Sequence, residues 1–122
     1  MYLGEICLLT QDVPRLAGFY RKLLQVEGSN ADEAWQAIVQ GEPMLSVMHS
    51  GELPATAPQR AVLAFTVEDM EAACAHVLSM GTKVLQPPMR QPWGTVNMIL
   101  EDPDGNRVYL RQFAGAKEDD PS

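Results

Sequence analysis

The stretch Trp93-Gly94-Thr95-Val96-Asn97-Met98-Ile99-Leu100-Glu101-Asp102-Pro103-Asp104-Gly105-Asn106-Arg107-Val108-Tyr109-Leu110-Arg111 decides the fold of this chain. Two apolar runs flank a short polar segment in which Pro103 fixes φ and Asp104-Gly105 supplies a left-handed position. The pattern predicts a β-hairpin.

Toward the N-terminus from that hairpin, the segment from Pro87-Pro88 to Pro92 reads as a loop, and Thr82–Gln86 as a short strand. Met70, Ala73, Cys74, Val77 and Leu78 recur at helical spacing, with Asp69 placed as N-cap and Gly81 at the C-terminal end. Arg60–Val67 has the length and apolarity of a strand. Residues 51–59 contain Pro54 and Pro58, have no periodicity and read as a linker.

The first half repeats this order. Residues 3–10 form an apolar run of strand length, Asp12 caps a helix, and Pro14 is tolerated in its first turn. Leu16, Tyr20, Leu23 and Leu24 form its apolar stripe, leaving Arg15, Arg21 and Lys22 for solvent. The helix ends before Gly28-Ser29-Asn30. Strands are expected over 34–40 and 44–50 around a turn at Gly41-Glu42-Pro43, with room for one more short strand near Gln25–Gly28. Asp12 and Asp69 lie 57 residues apart, and at that offset Glu5, Ile6 and Leu8 match Val62, Leu63 and Phe65. The chain reads as two copies of one module.

A duplicated module ending in Asp102-Pro103-Asp104-Gly105-Asn106 and an apolar strand resembles the vicinal-oxygen-chelate superfamily of glyoxalases, bleomycin-resistance proteins and extradiol dioxygenases. The resemblance implies an α+β fold of two tandem βαβββ modules, with curved mixed sheets around a concave pocket and helices on the outer face. One domain would span residues 1–113, with modules 1–51 and 60–113 and a linker at 52–59. Residues 114–122, which include Glu118-Asp119-Asp120, are expected to form an acidic, disordered tail.

In metal-using members, four strands each contribute one ligand facing the concave side. The resemblance places those positions at Glu5, Ser46, Val62 and Tyr109, the last occupied by a Glu in such members. Val62 cannot ligate, Ser46 is a poor neutral donor and Tyr109 is an uncommon ligand, whereas metal sites need several converging N, S or O donors. Neither a metal nor another cofactor is expected. His76 lies off its helix's apolar stripe. His49 falls by parity on the face opposite Ser46, although a one-residue slip would turn it inward. No HExxH, CxxC or P-loop pattern occurs, and Ser46 and Cys7 have no evident His–acid partner.

Alternation along strands then assigns the concave lining: Glu5, Cys7 and Leu9; Ser46 and Met48; Val62, Ala64 and Thr66; Asn97 and Ile99; Arg107, Tyr109 and Arg111. Trp35 is placed on the same side and Trp93 on the loop at the entrance. From these, Glu5, Cys7, Trp35, Ser46, Met48, Trp93, Asn97, Ile99, Tyr109 and Arg111 are the candidate ligand-binding residues. Aromatic and Met side chains with a few polar anchors suit a flat organic molecule, although Trp35 and Met48 are equally compatible with a core role. Asn97, between Val96 and Met98, needs a hydrogen-bond partner, and Glu5 needs one that Arg107 or Arg111 could supply.

The resemblance implies a metal-free binding protein of the bleomycin-resistance type, a homodimer that sequesters or senses a small, partly aromatic compound such as an antibiotic. Members of that kind bind glycopeptide, quinone or depsipeptide antibiotics. An alternative is a superfamily enzyme with an atypical site in which Glu5 is the general base. A third is a structural or regulatory protein whose cavity is filled by its own side chains.

Composition narrows the partners. A formal net charge of −7 argues against nucleic acid and anionic membrane surfaces. No apolar run approaches the ~20 residues that span a bilayer, and Met1-Tyr2-Leu3-Gly4-Glu5 has no basic n-region of a secretory signal. Cys7 and Cys74 sit in apolar periodic segments and read as buried free thiols, which fits a reducing, cytoplasmic setting.

Overall fold

Both helices begin where an aspartate leaves the preceding strand. Asp12 Oδ1 accepts the Arg15 amide at 3.2 Å, and Asp69 Oδ1 accepts the Ala72 amide at the same distance. Each carboxylate thus satisfies one amide that the first helical turn leaves without a partner. In the computed structural model, which describes residues 3, 5–41, 43–51 and 62–113, these caps open two helices that alternate with seven strands. The chain divides into two units, residues 1–58 and 59–122.

The first unit contains β1 (Glu5–Thr10), α1 (Val13–Leu24), β2 (Trp35–Val39) and β3 (Met44–His49). Its sheet has the order β1-β3-β2, with β1 parallel and β2 antiparallel to β3. Val13, Leu16, Ala17, Tyr20 and Leu23 of α1 are buried, as are Ile38 of β2 and Leu45 and Val47 of β3. Those side chains make the layer between the helix and one sheet face.

Two expectations change in this unit. No strand forms near Gln25–Gly28, so the described residues of the unit form three strands rather than four. Gln25 adopts a left-handed conformation (φ 58°) that ends α1, and side chains then satisfy the following backbone. Ser29 Oγ accepts the Ala31 amide, and Asp32 Oδ1 accepts the amides of Ala34 and Trp35. Such local bonds compete with a sheet ladder for the same donors. The second change is Arg21, which is buried at 9% exposure with Nη1 donating to Asn30 Oδ1 at 3.2 Å. Gly28 permits this close approach, since a Cβ there would stand 2.7 Å from Arg21 Nε.

The second unit contains β4 (Leu63–Thr66), α2 (Met70–Ser79), β5 (Lys83–Arg90), β6 (Thr95–Glu101) and β7 (Arg107–Phe113). Its sheet order is β4-β7-β6-β5, with β4 parallel to β7 and the other pairs antiparallel. Met70 and Val77 of α2 are buried together with Met98, Leu100, Val108 and Leu110 of the hairpin. Gln112 Oε1 accepts the Met70 amide at 2.6 Å, which ties the start of α2 to β7. Gly81 (φ +70°) follows the last turn of α2, as its position predicted.

The loop expected from Pro87-Pro88 onward is instead the second half of β5. This strand is at the sheet edge, and its pairing with β6 shifts register between Val84 and Gln86 and again between Gln86 and Met89. Proline lacks an amide donor but is accommodated at an edge strand or a bulge. The hairpin forms as predicted, with Gly105 at φ +88°. The linker 52–59, the start of the strand at Arg60, Glu42 of the first turn and the tail 114–122 lie outside the described residues.

Candidate functional site

In the first unit, the face of the sheet turned away from α1 is set by register. Cys7 lies opposite Ser46, which lies opposite Ala37; Leu9 lies opposite Met48, which lies opposite Trp35. Side chains at directly paired positions share a face. Glu5, Cys7, Trp35, Ser46 and Met48 therefore share one surface, as alternation predicted. Leu9 (45% exposed), Met48 (42%) and Trp35 (41%) form an apolar row across all three strands.

Beside this row is a polar pair. Ser46 is fully buried, and its hydroxyl donates to Glu5 Oε2 at 2.5 Å. Glu5 thus finds its partner within its own sheet, on the parallel neighbour of β1. Cys7 is an exposed free thiol rather than a buried one. The strands β1 and β3 pair without a break from Glu5↔Met44 to Thr10↔His49. His49 therefore stays on the face opposite Ser46, and no slip turns it inward.

Trp35 is fixed from the backbone side. Its amide and that of Ala34 donate to Asp32 Oδ1 at 3.2 and 2.8 Å. These two amides hold the Asp32 carboxyl below its ordinary pKa, because they favour the charged form. The Asp32 turn sets where β2 begins and hence which face Trp35 takes.

In the second unit, the face away from α2 carries a row of Lys83, Glu101 and Arg107, and three further cross-strand rows follow it. Ala64, Tyr109 and Ile99 form one, Thr66, Arg111 and Asn97 the next, and Phe113 with Thr95 the last. Asn97 has the partner its position required: Thr95 Oγ1 donates to Asn97 Oδ1 at 2.8 Å. Arg111 Nε donates to Thr66 Oγ1 at 3.1 Å, and its guanidinium lies 5.0 Å from the Phe113 ring centre. Thr95 and Phe113 were not among the sequence candidates. Both stand two residues from a candidate on the same strand, so the same alternation could have found them. Trp93 is on the turn between β5 and β6 and is 70% exposed.

Of the four positions that the resemblance implies as metal ligands, Glu5 and Ser46 are bonded to each other in the first unit. Val62, in the second, offers no donor atom. Among the described residues no three His, Cys, Asp or Glu side chains come together. By their chemistry Ser46, Val62 and Tyr109 are poor or absent donors for a metal of the superfamily type. The described residues also contain no helix long and apolar enough to cross a membrane. A feature that sequence reading did not anticipate is an open cleft of about 670 Å³ between the second half of α1 and residues 26–30, lined in part by Gly18, Arg21, Gly28 and Asn30.

Residues 2–110 match the Glyoxalase/Bleomycin resistance protein/Dioxygenase superfamily. The chain belongs to that superfamily. Solved structures with the same fold include a glyoxalase/bleomycin resistance protein/dioxygenase family enzyme from Burkholderia phytofirmans PsJN, with a TM-score of 0.77 and 15% identity over 93% of this chain and 99% of that one. A glyoxalase-related enzyme from Fulvimarina pelagi gives 0.73 and 17% over 89% and 86%. TioX from Micromonospora sp. ML1 gives 0.70 and 16% over 90% and 97%. At these identities the likeness concerns the superfamily fold alone. No curated protein matches the chain.

Proposed function

We propose that this superfamily member is a metal-independent binding protein for a small, flat, partly aromatic organic molecule, such as an antibiotic to be sequestered or a compound to be sensed. The observation that carries the reading is the exposed row Leu9–Met48–Trp35 beside the Glu5–Ser46 pair. Exposed apolar side chains in register across a sheet offer a planar surface, and an aromatic ligand gains both buried area and ring contact there. Glu5 keeps an oxygen not engaged by Ser46 that can accept a donor from the ligand. The reading includes a homodimer in the cytoplasm.

The test is a thermal-shift screen of planar aromatic compounds on chelator-treated protein, wild type and Trp35→Ala. A binding compound at about 100 times its Kd stabilises the fold by about 2.7 kcal/mol. Such a gain raises Tm by several degrees in a chain of this size. Trp35→Ala is expected to weaken binding about tenfold through lost ring contact and area. A screen without any shift, or full affinity in the variant, would sink the proposal. Turnover of a bound compound that is lost in Glu5→Gln would favour an enzyme instead.

A further inference from the structure

Resting on that reading, we infer that the second unit selects ligands that carry a carboxylate on the aromatic frame, through a hydrogen-bond donor pair made by Arg111 and Asn97. The two residues are direct partners across β7 and β6, so their side chains leave the sheet side by side on the face away from α2. Each is oriented by a bond that uses the end not needed for a ligand. Thr66 engages Arg111 at Nε, and the Phe113 ring supports the guanidinium, so both Nη groups remain as donors. Thr95 donates to Asn97 Oδ1, which fixes the amide and turns its NH2 outward as a donor.

A planar guanidinium with two free Nη groups matches the two oxygens of a carboxylate and binds them through paired, charge-assisted bonds. The chain is acidic overall, yet the surroundings of Arg111 on this face are uncharged: Ala64, Thr66, Tyr109, Ile99, Asn97 and Phe113. Glu101, the carboxylate on the same face of β6, is four residues from Asn97 and paired to Lys83 Nζ at 3.3 Å. Four residues of extended strand span roughly 13 Å. Beyond about 10 Å, exposed charges are largely screened at ordinary ionic strength. Among the strand residues of this sheet Glu101 is the one carboxylate, so no strand carboxylate offsets the positive charge of Arg111. Tyr109 and Ile99, one row away, flank the pair with apolar surface for the ring that bears the carboxylate.

Thr66 acts as a positioning residue. It touches the guanidinium at Nε and does not need to touch the ligand. Replacing its hydroxyl should loosen the fork without removing the charge.

The experiment measures binding of 2-naphthoate and its neutral match 2-naphthamide to the full chain, by isothermal titration at fixed ionic strength. Wild type is expected to prefer the carboxylate by about tenfold, the size of a charge-assisted pair. Arg111→Gln is expected to abolish the preference. Arg111→Lys and Thr66→Val should each retain only part of it. Equal affinity for the two compounds in wild type would overturn the inference and leave the binding reading intact, as would a preference that survives in Arg111→Gln. Binding of neither compound at millimolar concentration would overturn the binding reading and the inference with it. Tm of each variant, measured in parallel, separates loss of preference from loss of fold.

Discussion

Tyr20→Ala is expected to destabilise the protein by about 4 kcal/mol, the cost of removing a large aromatic from a packed core. Tyr20 is fully buried in the layer between α1 and its sheet, as are Leu16, Ala17 and Val47, and its ring meets Phe19 edge-on with centres 5.0 Å apart. Truncation leaves a cavity that a helix anchored at both ends cannot collapse. The N-terminal end is held by the Asp12 cap, and the other end by the left-handed Gln25 and the bond from Val26 N to Arg21 O. Domains of this size are stable by only 5–15 kcal/mol, so the variant loses a large share of that margin. Urea unfolding should show a lower midpoint at unchanged slope. Phe19 is only partly buried, and Phe19→Ala should cost about half as much. A loss below 1 kcal/mol for Tyr20→Ala would mean that α1 does not pack as described.

Asp102→Ala is expected to cost about 3 kcal/mol although the residue is in a turn. The carboxylate is buried at 4% exposure and accepts from Asp104 N, Asn106 N and Asn106 Nδ2 at 2.9, 2.8 and 2.8 Å. Bonds to a charged acceptor contribute roughly 1.5–3 kcal/mol each before neighbours are allowed to re-solvate, and the turn amides regain water in part. The backbone bonds from Asp102 N to Asn106 O and from Gly105 N to Asp102 O close the same loop. Asp102→Asn keeps one oxygen to accept the Asp104 and Asn106 amides but sets an NH2 against Asn106 Nδ2 and surrenders the charge, and should cost less, about 2 kcal/mol. The consequence reaches the binding surface. This turn sets the β6–β7 register that puts Asn97 opposite Arg111, so Asp102→Ala should weaken the carboxylate preference even where the fold persists. Hydrogen exchange of the Asn106 and Arg107 amides, faster in Asp102→Ala than in Asp102→Asn, is the direct check. Equal protection in both would show that the carboxylate does not hold the turn.

The parts of this molecule that were legible in sequence are those fixed by local chemistry. Asp12, Asp69, Gly81 and the Asp102–Asn106 turn each act within a few residues of themselves, and each is where its spacing placed it. Face assignment followed from the period of two, which is why Glu5, Cys7, Ser46 and Met48 came out together. What required the structure was long-range pairing. The Ser46–Glu5, Thr66–Arg111 and Met70–Gln112 bonds join residues 41, 45 and 42 positions apart. Arg21 read as a surface residue because its burial depends on the 26–30 segment folding over it at Gly28. The proline pair read as a loop because periodicity does not reveal whether a strand is at an edge, where a missing amide is tolerated.

The central claim is binding on these open sheet faces without a metal. It is tested most directly by titrating the strongest compound from the thermal-shift screen into chelator-stripped protein. The titration is then repeated on protein reloaded with zinc, nickel, manganese or iron. One affinity across all five preparations is the predicted result. Binding that appears only after a metal is restored, with one ion retained per chain, would contradict the claim and make Glu5 the first residue to examine as a ligand.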